Sequence, residues 1–243
     1  LLLPKLIETL QCIESLITSE TPDLGAISGV LYALSRNSAL IMQKPANTNI
    51  VSETPNIQLT EEQIDLFIDM FKKISLTLLS CKNSEFQRSL LYSLNHMASN
   101  TPEALTRDME FIDILLGIAS NSSELESEDF LRLCRILSKV IMTTPQQVRE
   151  EYIEKLTSIA SIRLDSQNIE AIYEGTQAAY SISSIPIVGS QYITRKLWKP
   201  LINAMRISRN LLDFNCFSDI VSVFASSIRT APFSWCRKYI EDF

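Results

Sequence analysis

The spacing of proline constrains this chain more than any other feature. Thr101-Pro102, Thr144-Pro145, Pro186 and Ala231-Pro232 each follow a segment of helical apolar periodicity. Pro102 and Pro145 lie 43 residues apart, and Pro145 and Pro232 lie 87 apart, close to twice that interval. Proline suits the first turn of a helix, where its missing N–H is not needed and its φ is already helical. A unit recurring at this interval falls within the ~40–47-residue range of HEAT and armadillo repeats.

The segments between these prolines read as amphipathic helices. Over Phe130–Ile141, the residues Phe130, Leu133, Ile136, Leu137, Val140 and Ile141 fall within an arc of about 140°, with Arg132, Arg135 and Lys139 opposite and Leu131 as the exception. Over Val148–Ala160, Val148, Tyr152, Ile153, Leu156, Ile159 and Ala160 share one arc, while Glu150, Glu151 and Glu154 face away. No segment alternates strictly, so no strands are expected. The helices pair as 2–20 with 24–42, 61–80 with 84–99, 103–120 with 127–142, 145–163 with 167–184, and 190–212 with 216–230, and a partial helix starts near 232. Glycine is scarce, 5 of 243 residues, which argues against hairpin-rich β folds and against glycine-built phosphate loops. The expectation is an all-α fold: a right-handed α-solenoid of about five helical hairpins, one repeat domain over residues 1–243, whose stacked neighbours bury a continuous core.

Residues 44–59 interrupt the rhythm with a loop composition that includes Pro45, Asn47, Asn49, Pro55 and Asn56. Thr60-Glu61-Glu62-Gln63 then reads as a capping box. The polar stretch Asn121–Asp129 reads as a second, solvated loop. The chain opens on Leu1 rather than Met, and Leu1-Leu2-Leu3 is too apolar for a solenoid cap. Further chain or a partner is therefore expected to cover that end.

Charge is unevenly distributed. Residues 1–131 carry 8 basic and 18 acidic side chains, and residues 132–243 carry 14 basic and 10 acidic. The five cysteines, Cys12, Cys81, Cys134, Cys216 and Cys236, are widely spaced and form no C-x-x-C pair. They are expected to be reduced and mostly buried, in an intracellular reducing compartment. No apolar run reaches the length of a membrane span, so no membrane insertion is expected.

Catalytic material is sparse. The single histidine, His96, sits near the end of a predicted helix, and Glu61-Glu62 and Glu150-Glu151 sit in first turns, where the helix dipole accounts for them. The nucleophile-elbow, P-loop, dinucleotide and zincin motifs are all missing. The chain is expected to be no enzyme, with no cofactor, no metal and no small-molecule substrate.

The segment Tyr192–Leu212 stands out, with Arg195, Lys196, Lys199, Arg206 and Arg209 and no acid. On one continuous helix Arg195, Lys199, Arg206 and Arg209 fall within about 80° of each other. Ile193, Leu197, Ala204, Ile207 and Leu211 lie opposite, and Trp198 flanks the stripe. Cations beside an aromatic suit phosphate contact with base stacking. They suit an acidic protein partner equally, or a plain solvated face. Arg132, Arg135 and Lys139 form a smaller second stripe. Pro200 can kink or split the helix, and the net charge of −6 repels phosphate over most of the surface.

The second helices share an apolar, tyrosine- and alanine-containing core: Gly29-Val30-Leu31-Tyr32-Ala33-Leu34-Ser35, Ser89-Leu90-Leu91-Tyr92-Ser93-Leu94, Leu133-Cys134-Arg135-Ile136-Leu137-Ser138 and Ile220-Val221-Ser222-Val223-Phe224-Ala225. This resembles the helical-hairpin repeats of organellar RNA-associated proteins, the FAST-kinase-like, RAP-domain and heptatricopeptide group. The resemblance implies a mitochondrial protein that binds RNA or serves as a structural subunit of a ribonucleoprotein such as the mitochondrial ribosome. The alternative is a protein-only HEAT-like adaptor. Either way, protein partners within a larger assembly are expected.

Overall fold

The computed structural model describes residues 8–9, 11–12, 15, 23–36, 38, 60–80, 84–121, 125–186 and 188–230. Every regular element among them is helical, no strand occurs, and the fold is all-α. The helices are α1 (Leu24–Arg36), α2 (Glu61–Ser80), α3 (Ser84–Asn100), α4 (Pro102–Thr106), α5 (Met109–Ser120), α6 (Ser127–Thr143), α7 (Gln146–Leu164), α8 (Ile169–Ser183), α9 (Val188–Tyr192), a π-turn (Ile193–Leu197), α10 (Trp198–Asn210) and α11 (Phe214–Thr230). The loop 44–59, the partial helix from 232, Cys81 and Cys236 lie outside the described residues. So does most of the helix over 2–20, of which residues 8, 9, 11, 12 and 15 are helical.

The chain forms two compact units, Leu1–Arg107 and Asp108–Phe243. In the first, α3 packs against α1 and α2. Ile27, Leu31, Phe67, Phe71, Leu90 and Leu94 fill its core. The capping box forms as the sequence indicates: the Thr60 N–H donates to Gln63 Oε1 at 3.0 Å and the Gln63 N–H to Thr60 Oγ1 at 3.3 Å. Arg107 pairs with Asp65, 42 residues before it, and with Glu61 at 3.5 Å.

In the second unit the first helices of successive hairpins stack, α5 on α7 and α7 on the π-turn and α10, while the second helices stack as α6, α8 and α11. The repeat is written in side-chain bonds. Tyr152 donates to the Met109 carbonyl, 43 residues back, and Lys155 to Asp113, 42 back, at 2.8 Å. Tyr192 donates to the Glu150 carbonyl and Lys196 to Glu154 at 2.9 Å, both 42 back. On the second-helix layer Gln177 donates to Asp219, 42 residues ahead, at 2.8 Å. All six residues of the predicted Phe130–Ile141 arc are fully buried, as are Ile153, Leu156 and Ala160 on α7.

Two predicted helices are broken. The helix over 103–120 divides at Arg107-Asp108, because Asp108 turns extended (φ −127°, ψ 104°) and caps α5, accepting from the Glu110 N–H at 3.0 Å. The helix over 190–212 divides into α9, the π-turn and α10. The division places Pro200 in the first turn of α10, where a missing N–H costs nothing. The π-turn also absorbs one residue of repeat drift. Tyr152 and Lys155 are three apart and Tyr192 and Lys196 are four apart, yet each pair reaches targets four apart on the preceding helix. A wider turn keeps both donors on one face.

Leu212 follows α10 with φ +57°, the described non-glycine residue in the left-handed region. An L side chain there costs about 1–2 kcal/mol, and asparagine bears it best. Leu212→Asn is expected to raise stability by up to about 1 kcal/mol, measured as a higher urea midpoint at unchanged slope.

Candidate functional site

The basic face is built on α10. From Lys199 onward the helix is regular, so Lys199, Asn203, Arg206 and Asn210 line up at i, i+4, i+7 and i+11, and all four are exposed. This row is about 16 Å long, with exposed Arg209 beside it. Lys199, Arg206 and Arg209 make no ion pair among the described residues. The two asparagines were not singled out by the sequence, although their spacing was readable once the helix is started at Trp198 rather than at 190.

The other predicted members of the stripe are placed differently. Arg195 is exposed but lies in the π-turn, whose wider winding rotates it away from the phase a continuous helix would give. Lys196 is bonded to Glu154, which holds its ammonium above the ordinary lysine range. Trp198 does not flank the stripe as expected. It is buried and packs edge-to-face on Phe224 of α11, with ring centroids 4.6 Å apart. The π-turn rotates it inward, so base stacking on this indole is closed off. Of the apolar residues expected opposite, Ile193, Leu197 and Ala204 are buried, but Leu211 is exposed because the helix ends one residue before it.

The smaller stripe on α6 is also divided. Arg132 turns back on its own helix, bonding buried Asp129 at 2.7 Å and reaching Glu128 at 3.8 Å, so it serves the fold. Arg135 is exposed. Lys139 is half-buried, and its ammonium is pushed below the usual lysine range by burial and by the Arg135 charge. The arrangement leaves Arg135 as the one solvent-facing cation of that trio.

The histidine and the described cysteines sit as follows. His96 packs edge-to-face on Tyr32 at 5.3 Å, and the Arg36 guanidinium lies over the same tyrosine ring. Cys134 and Cys216 are free and buried, and burial pushes both thiols up, away from the thiolate. Cys12 is free and exposed. Among the described residues no group of three or more His, Cys, Asp or Glu is placed to hold a metal. No helix of the described residues is long and apolar enough to cross a membrane.

No family model and no curated protein matches the chain. Among solved structures it is similar to the crystal structure of an engineered protein from a structural genomics consortium, at 17% sequence identity and a TM-score of 0.49, with 96% of this chain and 94% of that one covered.

Proposed function

We propose that this chain is a non-enzymatic helical-repeat scaffold that docks an anionic partner on the α10 face, as an RNA-associated subunit of an organellar ribonucleoprotein such as the mitochondrial ribosome. The observation that carries this reading is the row Lys199, Asn203, Arg206, Asn210 with Arg209, exposed, free of acids and mounted on a helix seated by the core residues Leu201 and Ala204. Donors at a helical spacing of about 5–6 Å suit successive phosphate oxygens. With Trp198 buried, the contact is made to phosphate alone and tolerates any base sequence. The same burial favours a second reading, a HEAT-like adaptor whose partner is an acidic protein surface.

The test replaces Arg195, Lys199, Arg206 and Arg209 together by alanine and measures single-stranded RNA binding against salt. Loss of the phosphate contacts of Lys199, Arg206 and Arg209 is expected to flatten the slope of log K on log salt by about 2, with Arg195, which the π-turn sets off the row, adding little. Unchanged affinity and slope would remove the reading. Recovery of the endogenous complex with and without RNase separates the two partners. Ribosomal RNA and ribosomal proteins support the first, and an RNase-insensitive protein set without RNA supports the adaptor.

A further inference from the structure

The α10–α11 turn carries an apolar ridge that stands in solvent. Leu211, Leu212 and Phe214 are 57%, 70% and 72% exposed. Contiguous exposed apolar surface rimmed by polar residues is the mark of an interaction site. Leu212 also keeps a branched apolar side chain at φ +57°, a backbone position that glycine or asparagine would fill at less cost.

The charges on either side of this ridge are opposite. On the α10 side stand Arg206 and Arg209, exposed and without an ion pair among the described residues. On the other side a cleft of about 590 Å³ is lined by Ile169, Glu170, Tyr173, Asp213, Ser218 and Asp219. Asp213 caps α11 through the Cys216 N–H, and Asp219 accepts from Gln177, while Glu170 makes no ion pair among the described residues. Burial pushes the Asp219 carboxyl above the ordinary range, and the Asp213 charge adds to that. The helix dipoles explain a cation at the end of α10 and an acid at the start of α11. They do not explain the ridge between them.

A patch ordered as basic flank, apolar ridge and acidic flank is complementary to itself after a half-turn. That is the requirement for an isologous contact, in which residue i of one copy meets residue j of the other and the reverse. We propose that the α10–α11 turn is the two-fold contact of a homodimer, with the Leu211, Leu212 and Phe214 ridges packed together and Arg206 and Arg209 of each copy facing the Glu170–Asp219 cleft of the other. The contact uses only the C-terminal end of the basic row. It shares Arg206 and Arg209 with the anionic-partner reading, so a second copy and an anionic partner compete for them, but its test contains no RNA and no other protein, so either reading can fail without the other.

The test is mass by light scattering on the chain alone, from micromolar to submillimolar concentration at low salt. The mass is expected to rise toward twice 27.5 kDa and to fall back as salt is added. A monomer at every concentration would overturn the proposal. Leu212→Asn with Phe214→Ser keeps the turn, since asparagine accepts the left-handed backbone, and is expected to remain monomeric. A dimer that survives this change would place the contact elsewhere. Two further chains, Arg206→Glu with Arg209→Glu and Glu170→Lys with Asp219→Lys, are each expected to be monomeric alone and to associate when mixed. Each is first checked for native helicity by circular dichroism. A mixture of folded chains that stays monomeric would overturn the charge pairing.

Discussion

Gly189→Ala is expected to destabilise the second unit by about 3 kcal/mol or more, since overpacking against backbone lies at the upper end of such costs. Gly189 is the second residue of α9 and is buried. A β-carbon there would stand 2.0 Å from the Ile182 carbonyl oxygen, 3.1 Å from its carbon and 3.2 Å from Ile185 Cβ. Two of these atoms are backbone, so no rotamer change relieves the clash. The end of α8 and the turn after it must move, and they carry Ile182 and Ile185 in the core. The measurement is urea unfolding followed by circular dichroism. Gly117→Ala is the control, because Gly117 is exposed in mid-helix with nothing within 4 Å of the added carbon. It is expected to gain about 0.5–1 kcal/mol from helix propensity. A Gly189→Ala chain that unfolds at the wild-type midpoint would show that α9 does not approach α8 this closely.

Glu174→Ala is expected to cost about 3 kcal/mol, within the range for breaking one partner of a buried ion pair. Glu174, on α8, is 6% exposed and pairs with Arg163 of α7, and it also accepts from Ser127 Oγ at 2.7 Å. The Arg163 guanidinium lies 4.8 Å from the Phe130 ring centroid. Removing the carboxylate strands a half-buried cation on an aromatic face and leaves the Ser127 hydroxyl without its acceptor. The double substitution Arg163→Met with Glu174→Ala takes both charges away and is expected to recover a large part of the loss. Urea midpoints for the two single variants and the double close the cycle. A double variant that loses the sum of the single losses would show that the pair is uncoupled.

Much of the helical pattern could be read directly from the residues. The apolar arc of α6 follows from its 3.6-residue period and is buried residue for residue. The Thr60–Gln63 box needs only its own four residues to form. The same local reasoning failed where a helix changes phase. A continuous helix from 190 to 212 puts Trp198 beside the cations, and one wider turn at Ile193–Leu197 puts it against Phe224 instead. Arg132 is a different case, since its partners Asp129 and Glu128 stand three and four residues before it, spacings at which helical ion pairs form, and the pairing was legible locally.

By itself the sequence determined the all-α class, the extent of most helices, the Thr60 capping box and the inward faces, because these depend on residues within one or two turns of each other. It also held the repeat, since prolines 43 residues apart and bonds 42 residues apart report the same hairpin length. Only the tertiary structure decided which cations remain free. Lys196 and Lys199 are three residues apart and chemically alike, but Glu154 stands opposite the first across the hairpin stack. Availability of Lys196 and Lys199 depends on a neighbour brought close from a repeat away, and no local period encodes it.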